Sequence, residues 1–171
     1  AFGHDNITSG DNSLAMGKEN ETTGENSLAL GKENKTDGIN STAVGRDNEA
    51  KGERNLAVGE GNKTEGKYSS ALGRNNKVKG EDGLAVGNKN TATGKESTVV
   101  GNKNTAKGKY STALGRNNKV NATDGTAVGN DNEVTGENSS AFGKGNIAKG
   151  NSSTAFGHDN ITSGDNSLAM G

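Results

Sequence analysis

The sequence predicts an all-β parallel β-solenoid of 14-residue coils, and three observations carry that prediction. Glycine recurs at 3, 17, 31, 45 and onward to 171, thirteen times at a spacing of 14 without a break. Asparagine stands three residues after each of the first twelve, from Asn6, Asn20 and Asn34 to Asn160. One residue before each glycine is a large apolar side chain and two before it an alanine, with Val99 the one exception.

The unit reads Ser-x-Ala-Φ-Gly-x-x-Asn-x-(Thr/Ala/Val)-x-Gly-x-x, as in Ser27-Leu28-Ala29-Leu30-Gly31 and its continuation to Asn40. Its first element is the Ser-x-Ala-Φ stretch, where alternation sets Ser and Ala on one face and the bulky residues on the other. Glycine then supplies a crowded or left-handed corner, and Gly17 and Gly31 represent that column. The Asn column, with Asn20, Asn34 and Asn48, is expected at the same corner, where Asn tolerates the left-handed conformation and bonds neighbouring coils. A second, short strand carries the Thr/Ala/Val column, and a second glycine column closes the coil, interrupted once by Ala122. The expectation is two short strands per coil and a rod roughly 55 to 60 Å long at a stacking distance of about 4.8 Å.

Composition excludes other classes. Leu, Ile, Val and Phe number 24 of 171 residues, below the roughly 20% at which disorder becomes the default. The balance of 20 basic and 21 acidic residues and the strict period argue instead for a repetitive fold with little core per residue. A glycine every seven residues opposes helix, and collagen needs one every third. There is no Cys, so disulfides and thiolate metal sites are absent. No stretch approaches 18 apolar residues, and no leader resembles a signal peptide. The near-neutral charge and five aromatics point to no nucleic-acid partner.

If Ala and the Thr/Ala/Val column fill a narrow interior, the Φ column faces outward. That column is Met16, Leu30, Val44, Val58, Leu72, Val86, Val100, Leu114, Val128, Phe142 and Phe156, with Phe2 and Met170 at its ends. A stripe of that length exceeds what a soluble monomer exposes, so the chain is expected to associate with copies of itself. A ring of parallel chains closes such stripes, and a trimer is the smallest ring with a packed central column.

The unit, seen as Ser13-Leu14-Ala15-Met16-Gly17 and Ser111-Thr112-Ala113-Leu114-Gly115, resembles the YadA-like head repeat of trimeric autotransporter adhesins. The resemblance covers residues 1–171 as one array of about twelve repeats. It implies a left-handed parallel β-roll, a parallel homotrimer, and display on a bacterial surface through a stalk and outer-membrane anchor outside this chain, which would make the chain a segment of a longer fibre. It implies attachment to host extracellular matrix, host cells or other bacteria, with no membrane contact by this segment. A structural spacer rod without a ligand is the other reading. Residues 1–17 and 155–171 are identical, so the array grows by copying units.

No enzyme, cofactor or metal site is expected. His4 and His158 lie eleven coils apart, and the Ser column has no accompanying base. The column Asp5, Glu19, Glu33 and Asp47 beside His4, Lys18, Lys32 and Arg46 reads as a charge lattice that relieves stacked like charges. The irregular unit at Val120 to Gly125 is the one place expected to carry an inserted loop, if any does. Candidate ligand contacts are outward residues the fold does not need: Tyr68 and Tyr110 in one turn slot, and Ile7, Ile147 and Ile161 in a slot otherwise mostly charged.

Overall fold

A computed structural model describes residues 1–171. The chain winds through 25 strands that alternate between a thirteen-stranded and a twelve-stranded parallel sheet. It is an all-β parallel β-solenoid. One coil consists of a five-residue strand, Leu28–Lys32, and a two-residue strand, Lys35–Thr36. Each residue pairs with the one 14 positions on, Ala29 with Ala43 and Gly31 with Gly45 in the long-strand sheet, Lys35 with Glu49 in the other. Because the pairing offset equals the sequence period, every repeat position becomes a straight column.

Side-chain alternation settles what lies inside. Away from the end coils the long-strand Ala column is fully buried, as is the Thr/Ala/Val column of the short strands. All buried apolar residues are Ala or Val. Such an interior gains little from apolar burial per residue, at about 25 cal/mol per Å². Hydrogen bonding between coils must therefore carry much of the cohesion. Where the inward column enlarges to Val78 or Val120, the Ser column five residues later shrinks to Gly83 or Gly125, whereas Val134 is accommodated with Ser139 retained. A Cβ at Gly83 or Gly125 would lie 2.6 or 2.7 Å from the Val Cγ1. Gly125 also makes room for Ala122, whose Cβ would be 2.9 Å from a Cβ at 125. The Val120–Gly125 unit, the one place expected to carry an inserted loop, therefore departs from the pattern through packing and holds the same turn as its neighbours.

The first corner differs from the expectation in one respect. The left-handed position is held by the residue before the Asn, with Glu33 at φ 57° and Asp47 at 55°, and not by the Asn. The cause is the Asn side chain. Asn34 Nδ2 donates to Leu30 O at 3.1 Å and to Gly45 O at 2.8 Å, which folds the chain tightly around Glu33 and leaves Asn34 free to begin the short strand. The left-handed residue points to solvent, so this slot accepts Asp, Glu, Lys, Asn or Gly.

One polar ladder runs the length of the rod, and a second is broken at Gly83 and Gly125, with Ser97 and Ser111 bonding back within their own coils to Gly94 O and Gly108 O. In the first, Asn48 Nδ2 and its backbone N–H both donate to Asn34 Oδ1, and the pattern repeats from coil to coil. In the second, Ser27 Oγ donates to Gly38 O at 2.6 Å and accepts from the Ser41 N–H at 3.3 Å. Both satisfy backbone groups that the corners remove from the sheets. Two buried polar atoms lack a partner: Asn55 Nδ2, where Asn replaces Ser in the second ladder, and Thr36 Oγ1 in the inward column of the short strands.

Candidate functional surfaces

With no ligand chemistry inside so narrow a coil, function falls to its outer faces. The outer face of the long-strand sheet carries two adjacent columns. One is the Φ column. Met16, Leu30, Val100 and Phe156 are exposed, Phe156 to 54%, whereas Val44, Val58, Leu72, Val86, Leu114, Val128 and Phe142 are half-buried. The other holds Leu14, Leu28, Leu56 and Leu84 interspersed with Thr and Ser. Phe142 and Phe156 lie tilted against each other, ring centroids 6.3 Å apart. The single chain thus presents a continuous apolar band along one side.

The corner residues are structural in what they touch. Gly17 and Gly31 have φ of 121° and 123°, and a Cβ on either would run into the carbonyl oxygen of the next coil's glycine. Asn20, Asn34 and Asn48 are buried in the first ladder, each side chain bonded to the coils on either side.

The candidate contacts lie apart from one another. Tyr68 and Tyr110 hold the left-handed position of the second corner, at φ 55° and 58°, three coils from each other, and both are exposed. Each has a cation at its ring, Arg54 at 5.7 Å and Lys109 at 4.5 Å from the centroid, a contact worth about 0.5–1 kcal/mol at an exposed site. Ile7, Ile147 and Ile161 lie on the outer face of the short-strand sheet. Ile147 and Ile161 pair on adjacent coils, while Ile7 sits at the other end of the rod. The structure does not gather the five into one site.

Charge covers the remaining surface. Within coils, Lys18 pairs with Glu19 at 3.2 Å and Lys32 with Glu33 at 3.0 Å. Between coils, Lys35 reaches Glu21 at 3.0 Å and Lys63 reaches Glu49 at 3.1 Å. Burial works to raise the Glu49 pKa, but hydrogen bonds from Lys51 and Lys63 outweigh it and hold the carboxyl below its ordinary value. The hydrogen bond to Glu21 raises the pKa of Lys35. Exposed pairs of this kind contribute about 0–1 kcal/mol each. No three His, Cys, Asp or Glu residues come together in a way that could hold a metal ion.

Summing charge over the whole chain hides its uneven distribution along the rod. Residues 74–121 contain ten Lys or Arg against three acids, a net +7, whereas residues 1–73 and 122–171 carry −4 each. A running charge sum by coil reveals it.

The model of the YadA head domain repeat matches residues 1–20, 23–48, 50–76, 79–104, 92–118, 106–132, 121–146 and 148–171. No curated protein matches the sequence significantly. YadA head repeats belong to adhesins of bacterial surfaces. The matched repeats run from one end of the chain to the other on the same columns that build the coils, so this chain belongs to the YadA head domain repeat family.

Proposed function

We propose that the chain is an adhesin head segment that works as a parallel homotrimer, a continuous rod attaching a bacterium to host extracellular matrix, host cells or other bacteria. The observation that carries the reading is the apolar band on the outer face of the long-strand sheet. Leu30 and Val100 there are exposed although the interior holds nothing larger than Val. Three such bands meeting at an axis leave three short-strand faces outward, each a polar, charged surface repeated along the rod. Weak contacts on those faces add by avidity when many trimers act together. Anchoring to the outer membrane is assigned to other parts of the protein, and this segment makes no membrane contact.

Beads coated with the purified chain are expected to adhere to a panel of immobilised matrix proteins and cultured cells several-fold above beads bearing an unrelated trimeric fibre. Equal retention would remove the adhesive reading and leave the rod as a spacer. The spacer reading draws on one observation: the coils succeed one another without an inserted loop.

A further inference from the structure

The outer face of the short-strand sheet is a ladder of alternating sign over its first half. Glu21, Lys35, Glu49 and Lys63 follow one another on successive coils and pair in register. Stacked like charges about 4.8 Å apart repel, and alternation relieves this. Over the next four coils the alternation stops. That position becomes Lys77, Thr91, Thr105 and Lys119, still in register, and resumes its acid only at Glu133.

The flanking columns change with it. The left-handed column reads Asn75, Lys89, Lys103, Asn117, and the column two residues beyond the centre reads Lys79, Thr93, Lys107, Asn121. Four coils therefore present six lysines on three adjacent columns with no carboxylate among them. The three acids of this stretch, Glu81, Asp82 and Glu96, all lie at the opposite corner. At the edges, Lys79 is paired with Glu65 at 2.8 Å and Lys119 with Glu133 at 2.8 Å. Lys77, Lys89, Lys103 and Lys107 between them make no ion pair, although every lysine of residues 1–73 does. A shallow groove runs through this patch, lined by Thr91, Lys103, Thr105, Lys107, Asn117 and Lys119 among others.

We propose that this face binds a linear sulfated polysaccharide. Unpaired ammonium groups repeated up a flat face about 20 Å tall match a chain bearing a regular series of anions, and ammonium groups serve such anions as point charges. The hydroxyls of Thr91 and Thr105 and the amide of Asn117 lie between the charges, where a sugar polymer offers hydroxyls. Single-stranded nucleic acid is the less suitable polyanion, because its binding leans on aromatic or Arg stacking surfaces, and these three columns contain neither. The face lies on the opposite sheet from the apolar band, so trimer formation leaves it open. The inference deepens the adhesive reading by naming a ligand class. It rests on that reading for the use of the surface, and on the coil stacking alone for the surface itself.

The test is binding of the full chain to immobilised heparin, with unsulfated hyaluronate and single-stranded DNA as parallel arms. Wild type is expected to be retained on heparin at physiological salt and to bind it more tightly than either other polymer. Substituting Lys89→Gln, Lys103→Gln and Lys107→Gln together should weaken heparin binding about tenfold or more, with a shallower salt dependence. Substituting Lys18→Gln, Lys32→Gln and Lys51→Gln changes the net charge equally at lysines already paired with Glu19, Glu33 and Glu49, and should shift binding less than about twofold. All six side chains are exposed, so circular dichroism should show both variants folded. No retention of wild type, equal losses in the two variants, or DNA bound as tightly as heparin would overturn the proposal. Adhesion that persists in the Lys89/Lys103/Lys107 variant would overturn this ligand for the adhesive rod and leave the adhesive reading standing. Heparin binding without adhesion to any surface would do the reverse.

Discussion

Gly73→Ala is expected to lower folding stability by more than about 4 kcal/mol, in the range reserved for a few severe mechanisms. Two of those mechanisms coincide. Gly73 has φ 115°, outside the region that side-chain-bearing residues adopt, and its Cβ would meet the carbonyl oxygen, carbonyl carbon and Cα of Gly87. All three are backbone atoms of the next coil, so no side chain can swing aside. The coils can relieve the clash only by separating, which breaks the parallel pairing on both sides of the defect. A solenoid is held together by nearest-neighbour interfaces, so a broken one in the middle should divide unfolding into two transitions. Gly164→Ala supplies the control, because nothing lies within 4 Å of its Cβ position and its φ is ordinary. Thermal denaturation should place that variant within about 0.5 kcal/mol of wild type. A Gly73→Ala protein with a single, unshifted transition would mean that the coils stack less closely than described.

Asn62→Asp tests the Asn ladder with almost no change of shape. Asn62 is fully buried. Its Nδ2 donates to Val58 O at 3.0 Å, Gly73 O at 2.8 Å and Asn48 Oδ1 at 3.0 Å, and its Oδ1 accepts from the Asn76 N–H at 3.1 Å. A carboxylate keeps the acceptor and loses the donor, so three oxygens would face a buried negative charge. The expected loss at neutral pH is about 3 kcal/mol or more, since a buried group left unsatisfied costs about 1–3 kcal/mol and a charged one more. The sign with pH is specific. The folded state favours the protonated acid, which can donate again, so the pKa of the introduced carboxyl is raised on folding. The penalty is then full above the folded pKa and is relieved as pH falls toward the unfolded value. Urea denaturation of both proteins across the acid range should show the gap between them narrowing as pH drops. A gap independent of pH would mean that the Asn side chains act by packing alone.

Much of the rod is legible in the sequence because its period equals its pairing offset. Once Gly, Asn and Ala recur every 14 residues, strand alternation alone assigns Ala29 and Thr36 inward and Leu30 and Lys35 outward. Less legible is whatever depends on the third dimension between coils. The left-handed residue is Glu33 rather than Asn34 because the Asn amide reaches back to Leu30 O, a bond that residue preference for the left-handed region does not reveal. Replacement of Ser by Gly83 and Gly125 looks like drift in sequence, and the crowding of a Cβ there against Val78 and Val120 is visible only in the packing, where Val134 nonetheless keeps Ser139. The lysine face is hidden for a different reason. A total of 20 cations and 21 acids averages over a rod on which position along the axis matters, and charges many coils apart lie beyond a Debye length of about 8 Å. Of the proposed surfaces, the apolar band follows from alternation and can be read directly, whereas Tyr68, Tyr110 and the three Ile residues share only their being unneeded by the fold and do not converge.

The proposed trimer depends on the apolar band being an interface between copies of this chain. Sedimentation equilibrium of the purified chain measures this most directly, with a variant carrying Leu72→Asp and Val86→Asp run beside it. The expected result is a species three times the 17.3 kDa chain mass that persists on dilution, and a variant that falls to the monomer while keeping its β spectrum. Burying two unpaired carboxylates at a packed axis costs several kcal/mol per protomer, enough to dissociate such an assembly. A wild-type chain that sediments as a stable, folded monomer would contradict the account, because the band would then be a solvent-exposed face and not the axis of a trimer.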